Sequence, residues 1–129
     1  ITGNNRDLNR YRWNHKNITK KLKNLKSKQS IFYKKITNLL EIRRKQKAFH
    51  PNGIRSSVNI GKKIFCFKRQ SVDKKQTILC ITNLSSKVQS TKINQKFLTW
   101  KNLLSSNNNH ISNKMIKLEP FETVWLSNR

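Results

Sequence analysis

Carboxylates are scarce in this 129-residue chain: Asp7, Glu41, Asp73, Glu119 and Glu122 stand against 29 lysines and arginines. Glycosidic-bond chemistry by two carboxylates needs a pair about 5 to 10 Å apart, and these positions offer none convincingly. Glu119 and Glu122 lie three apart in a segment of strand-like period, which predicts that they point to opposite faces. Cys66 and Cys80 sit in the apolar runs IFCF and ILCI, where free cysteine packs as a small hydrophobe. Neighbouring strands could bring the two close, but a reducing compartment opposes a disulfide. Two cysteines are also too few for a disulfide scaffold or a zinc site built on cysteine pairs. His50, just before Pro51, has no suggested Ser, Cys or Asp partner; it reads as a turn residue bonding backbone. There is no Gly-rich phosphate loop, metal-ligand cluster or nucleotide fingerprint. Taken by its own residues the chain does not look like a complete enzyme, and it calls for no cofactor.

The net charge of +24 raises the possibility of nucleic-acid binding, which is driven by phosphate neutralisation. The distribution argues against it. Basic residues run from Arg6 to Arg129, and lysine outnumbers arginine 21 to 8, whereas base-edge readout favours arginine. Lys, Asn and Ile together make 51 of the 129 residues, the joint excess expected of genome-wide nucleotide bias acting on a solvated surface. No run of about 18 apolar residues exists, so no spanning helix is expected. Residues Ile1 to Arg12 show no signal-peptide pattern, and a cytoplasmic location is the expectation.

Two regimes of periodicity organise the chain. From Asn14 to Phe49 the period is helical. Ile18, Leu22 and Leu25 mark a short basic helix, with Asn14 or Asn17 as its cap. A second helix is predicted to start after Ser30 as N-cap, with Phe32, Ile36, Leu39, Leu40 and Arg43 on one face. It should end near Ala48-Phe49, because the residue before Pro51 is pushed out of helix, and Pro51-Asn52-Gly53 reads as a turn. After Gly53 the period is two. Ile54 to Ile60, Ile64 to Arg69, Thr77 to Asn83, Lys87 to Ile93 and Met115 to Leu126 read as strands, while Phe97 to Leu104 is ambiguous. About six short antiparallel strands predict a meander or Greek-key sandwich. Alternation points Trp100 and Trp125 into its core, and Trp13 is expected to pack on a missing neighbour.

The polar leader has no start methionine, and the stripe of the second helix is wide for so small a core. The chain is therefore expected to be the C-terminal end of a larger protein. Three stretches carry a family resemblance. The first is Arg6-Asp7-Leu8-Asn9-Arg10, preceded by TGNN and followed by YRW. The second is LLEIRRKQKAFHPNG, Leu39 to Gly53. The third is the tail, with ILCITNLSS (Ile78 to Ser86), WKNLLSS (Trp100 to Ser106) and LEPFETVWL (Leu118 to Leu126). Together they resemble the C-terminal end of sugar phosphorylases of the alpha-amylase superfamily, the sucrose phosphorylase and glucosylglycerate phosphorylase group. The usual patterns there are R-D-I-N-R, A-F-H-P-N-G, W-x-D-L-L-S and L-x-P-Y-x-x-x-W-L. Leu8, Asn102 and Phe121 depart from them.

The resemblance implies an α+β piece: residues 1–52 as leader and last helices of a (β/α)8 barrel, and 53–129 as an antiparallel β-sandwich domain. It implies a parent enzyme that forms a covalent glucosyl intermediate with an Asp nucleophile and a Glu acid/base, at the C-terminal ends of the barrel strands. Phosphate would resolve that intermediate. Those carboxylates lie upstream of this chain, which alone should be inactive. Arg6 is implied to hold sugar hydroxyls through its rigid donor fork. Asp7, Asn9 and Arg10 would brace the loop, Asp7 orienting a guanidinium. The implied partners are a sugar substrate and inorganic phosphate, reached through the barrel. Two alternatives from other classes stay open: a basic nucleic-acid-binding module, and a stand-alone carbohydrate-binding sandwich presenting Trp100 or Trp125.

Overall fold

The computed structural model describes residues 12–105 and 111–129, and the chain divides into two units between Leu40 and Glu41.

In the first unit, α1 spans His15–Lys23. Asn14 is its N-cap: the Lys16 N–H donates to Asn14 Oδ1 at 2.9 Å, satisfying one of the donors a helix start leaves open. The helix stops before Leu25, which is exposed. Helix α2 spans Lys28–Arg44 and continues across the unit boundary. Its cap is Ser27 rather than the predicted Ser30. Ser27 Oγ accepts the Ser30 N–H at 3.1 Å and donates to the Lys21 carbonyl at 2.5 Å, while Ser30 is buried inside the first turn. Either serine has the chemistry of a cap, and the tight connection from α1 selects the earlier one. Phe32, Tyr33 and Ile36 remain exposed on α2, Phe32 at 68%.

The second unit is antiparallel throughout. β1 (Ile54–Ser57), β2 (Ile64–Gln70), β3 (Thr77–Asn83), β8 (Thr123–Ser127) and β5 (Lys101–Asn102) form one sheet in that order. β4 (Gln89–Lys92), β7 (Met115–Leu118) and β6 (Ile111–Ser112) form the other. Leu79 pairs with Leu126 and Ile81 with Val124 across β3 and β8. These four face Ile116 and Leu118 of the small sheet, with Cys66, Ile93 and Phe97 in the same core. The alternate residues Ile78 and Cys80 point to the other side of the large sheet, where Ala48, Phe49, Phe67 and Trp125 cover them. Strand β3 is thus an apolar run because both of its faces are covered.

Several boundaries differ from the sequence reading. The first strand ends at Ser57 and the Lys87–Ile93 strand is trimmed to Gln89–Lys92. The ambiguous 97–104 segment is a 3₁₀ turn over Gln95–Phe97 followed by the two-residue β5. Helix α2 ends at Arg44, short of Ala48-Phe49, with a separate 3₁₀ turn over Lys47–Phe49. The expected Met115–Leu126 strand breaks in two at Pro120, which cannot donate to a ladder. Phe121 there takes a positive φ of 58°. Glu119 and Glu122 consequently share one turn instead of opposing faces: the Glu119 N–H donates to Glu122 Oε2 at 2.8 Å, and the Glu122 N–H to the Glu119 carbonyl at 3.1 Å. The described residues form eight strands where about six were expected.

Cys66 pairs with Ile81 and Cys80 with Phe67, so the two thiols sit on adjacent strands but on opposite faces of the sheet. That direction of the Cβ bonds, more than any redox compartment, prevents a disulfide. Burial pushes both thiols up from the ordinary 9.0 to about 12; for Cys80 the neighbouring Cys66 adds to the rise and Arg69 opposes it. A raised folded-state pKa means full stability below about pH 9 and loss as pH climbs towards 12. Each thiol should remove about 1.4 kcal/mol per pH unit in that window. Urea midpoints measured from pH 8 to 11 should fall more steeply for the native chain than for a Cys66→Ala/Cys80→Ala variant; equal slopes would refute the assignment.

Candidate functional site

Arg6, Asp7, Asn9 and Arg10, the sequence-derived site residues, lie outside the described residues. The described part of the resemblance centres on Gln46 to Gly53, and its geometry is that of a joint. Gln46 leaves the helical region (φ −100°, ψ 114°), and its side-chain amide donates back to the Ile42 carbonyl at 3.1 Å. The next two residues are held from the sheet. Gln76, 8% exposed at the start of β3, accepts the buried Ala48 N–H at 3.0 Å through Oε1. Its Nε2 donates to Gln46 Oε1 at 2.7 Å and to Ser127 Oγ at 3.4 Å. Helix α2 therefore stops where a long-range amide takes over the Ala48 N–H.

Arg69 grips the same turn from β2. Its Nε donates to the Ala48 carbonyl at 3.1 Å and its Nη2 to the His50 carbonyl at 2.6 Å. The fork engages two carbonyls in one plane, which an ammonium could not do. His50 behaves as the sequence suggests: its Nδ1 accepts the Asn52 N–H at 3.2 Å, and its carbonyl also accepts the Gly53 N–H at 2.9 Å. Phe49 packs on Trp125 with ring centroids 4.7 Å apart, and the Arg43 guanidinium lies 6.0 Å above the Phe49 ring. Arg69 and Gln76 escaped the sequence reading. Arg69 lies in β2 and Gln76 just before β3, with no motif around either, and 21 and 28 residues separate them from Ala48.

Gly53 closes the joint. A Cβ there would stand 2.8 Å from the Gln70 carbonyl oxygen and 3.1 Å from those of Ala48 and His50. All three are backbone atoms, so the turn must shift. Gly53→Ala should cost about 1 to 3 kcal/mol; a urea midpoint equal to the native one would show that the turn yields freely.

Neither tryptophan of the alternative sugar platform is fully presented. Trp100 is half-buried against the inter-sheet core, edge-on to Phe97 with centroids 4.7 Å apart. Trp125 lies on the opposite face of the large sheet, half-buried under Phe49. Trp13 is 45% exposed, with the Lys21 ammonium 4.7 Å above its ring. Among the described residues no group of three His, Cys, Asp or Glu could hold a metal ion. Chemically, the Gln76 amide and the Nε and Nη2 of Arg69 are spent on backbone and neighbouring side chains, so these groups position a turn.

The chain is similar to glucosylglycerate phosphorylase of Spirochaeta thermophila, 30% identical over 84 residues, which is 65% of this chain and 14% of that protein. The structure is similar to a trehalulose synthase from Pseudomonas mesoacidophila (TM-score 0.60, 16% identity, 84% of this chain and 19% of that one). It is also similar to a GH13_31 family enzyme (TM-score 0.56, 20% identity, 87% of this chain and 18% of that one). The chain resembles the C-terminal portion of alpha-amylase superfamily enzymes. A trehalose-6-phosphate hydrolase from Bacillus licheniformis shares the fold at TM-score 0.57 and 18% identity, over 84% of this chain and 20% of that one. No family profile matches the chain. It spans about a seventh to a fifth of the length of these superfamily relatives. The solved structures speak for the fold alone. The second resemblance stretch is the clamp that holds the end of α2 to the strands.

Proposed function

We propose that this chain is the C-terminal part of a retaining glycoside phosphorylase, which moves a glucosyl group between an α-glucoside such as sucrose or glucosylglycerate and phosphate. The 30% identity to glucosylglycerate phosphorylase carries this reading. In such an enzyme the Asp nucleophile and Glu acid/base stand on the barrel, and the present residues supply scaffold together with one sugar-binding side chain, Arg6. Sugar and inorganic phosphate are then partners of the whole protein in the cytoplasm, and the 129 residues alone turn over nothing.

Arg6→Lys in the parent protein tests the role directly. The substitution keeps the charge and loses the planar fork. A hydrogen bond to a charged group contributes about 1.5 to 3 kcal/mol, so kcat/KM should fall roughly ten- to a hundredfold. The fall should be equal for phosphorolysis and synthesis, which share one glucosyl subsite, and Tm should barely move. The assay is phosphate-dependent release of α-glucose 1-phosphate from sucrose and from glucosylglycerate. Sugar release indifferent to phosphate would overturn the phosphorylase reading, and full turnover by Arg6→Lys would reduce the chain to scaffold.

A further inference from the structure

The clamped turn holds a reactive pair of residues that the joint itself does not use. Of the seventeen asparagines in the chain, only Asn52 precedes a glycine. Asparagine is a thermolabile side chain, and a following glycine makes it most reactive, because no Cβ shields the next amide nitrogen. The reaction needs no enzyme, oxidant or cofactor. The Gly53 amide nitrogen attacks Asn52 Cγ, forming an N–Cγ bond and with it a five-membered imide. The Cγ–Nδ2 bond breaks, and Nδ2 leaves as ammonia carrying the Gly53 N–H proton. Water then opens the imide at either carbonyl, giving aspartate or isoaspartate.

Asn52 is exposed to water, and the atom that must attack it is the one the structure restrains. The Gly53 N–H donates to the His50 carbonyl at 2.9 Å, closing a turn with Pro51 and Asn52 at its centre. Asn52 has a negative φ, so the turn is type I, since type II needs a positive φ at that place. Type I sets the Asn52 ψ at about 0°, and imide closure requires the Gly53 nitrogen to swing by about 120° towards the Asn52 side chain. That swing breaks the bond to His50. It is opposed from outside the turn as well: Arg69 Nη2 holds the His50 carbonyl at 2.6 Å and Arg69 Nε the Ala48 carbonyl at 3.1 Å. The carbonyl oxygens of Gln70, Ala48 and His50 wall Gly53 in. His50 Nδ1, a base within the turn, already accepts the Asn52 N–H at 3.2 Å.

We propose that Asn52 is a latent modification site, a deamidation site that the Arg69 clamp keeps shut and that reacts when the Ala48–Gly53 joint opens. Imide closure then follows local opening of the turn, which in a folded domain is separate from global unfolding. The step is one-way. Isoaspartate puts an extra methylene into the backbone next to Gly53, where a single added Cβ would already stand 2.8 Å from the Gln70 carbonyl oxygen. The modified turn cannot close as before, and a transient opening becomes permanent. The site uses neither Arg6 nor any barrel residue, so it stands or falls apart from the phosphorylase reading.

Brief trypsin digestion supplies the assay, because cleavage after Lys47 and Arg55 releases AFHPNGIR, whose sole asparagine is Asn52. The folded 129-residue chain and the same synthetic peptide are incubated in parallel at pH 8, and the exchange of NH for O is followed by mass. The folded chain should react at least about tenfold more slowly than the peptide, with isoaspartate appearing beside aspartate. Arg69→Lys gives up the grip on two carbonyls and should raise the rate severalfold while the amide spectrum stays dispersed. Ile116→Val, in the inter-sheet core rather than at the turn, lowers global stability and should leave the rate unchanged. Equal rates in peptide and folded chain would overturn the proposal, whether or not the Arg69 variant folds. So would a rate unmoved by Arg69→Lys, or one raised as much by Ile116→Val, which would trace the reaction to global unfolding.

Discussion

Asn83→Asp should destabilise the chain by about 3 to 5 kcal/mol at pH 7, the range for a buried polar contact broken so as to strand a charge. Asn83 is fully buried at the end of β3. Its Nδ2 donates to the Lys87 and Glu119 carbonyls at 2.8 and 2.9 Å, and its Oδ1 accepts from Ser85 N and Oγ at 2.9 and 2.8 Å. One amide therefore ties the loop before β4 to the turn between β7 and β8. The substitution is isosteric, but it puts a carboxylate oxygen where an N–H pair met two carbonyls. Desolvation and those carbonyls must raise the folded-state pKa of the introduced acid. Its stability deficit is then smallest below the unfolded carboxyl range and grows as pH rises through the folded-state value. The background favours the measurement, because only five native carboxylates titrate in acid. Urea midpoints at pH 3.5 and pH 7 should differ between variant and native chain chiefly at pH 7. A variant equally stable at both would mean that the amide donors carry no weight.

Leu126→Ala should have a comparable effect, about 3 to 5 kcal/mol, against a total of roughly 5 to 15 for a domain of this kind. Leu126 is 1% exposed, pairs with Leu79 on β3 and Asn102 on β5, and faces the small sheet. Removing it opens a void between two sheets whose backbone ladders hold them apart, so the site collapses poorly and the cost lies at the high end. Trp125→Ala, one residue away on the other face, should instead loosen the Phe49 contact while leaving the inter-sheet core intact. Thermal and urea unfolding with two probes would separate them: Leu126→Ala lowers the global transition, and a loss under 1 kcal/mol would argue against a core common to both sheets.

Several features were readable because they depend on near neighbours. The Asn14 cap and the His50–Asn52 turn involve residues two apart, and strand β3 is bounded by Thr77 and Asn83 as its residue types imply. The errors have one cause. Ser27 and Ser30 are equally good caps by type, Pro120 was absorbed into a run of alternating residues, and α2 looked continuous to Phe49. The cap was settled by the tight connection from α1, the strand break by the donor Pro120 lacks, and the end of α2 by Gln76 from elsewhere in the chain.

Period, turn chemistry and the motif order were properties of the amino-acid string itself, since they rest on steric and hydrogen-bonding preferences within a few residues. They sufficed to assign helices before strands, to place both cysteines in apolar runs, and to show a superfamily resemblance from Leu39 to Gly53 and the tail. The string held no information on which strand lies beside which. The β3–β8 pairing, the placing of Cys66 and Cys80 on opposite faces, and the meeting of Arg69 and Gln76 with the Ala48–His50 backbone join residues some 15 to 50 positions apart. Such contacts form only when burial of both faces of β3 selects one register, because a slip of one residue would exchange the side chains facing the small sheet with those facing Phe49 and Trp125. The clamp arises from that choice of register.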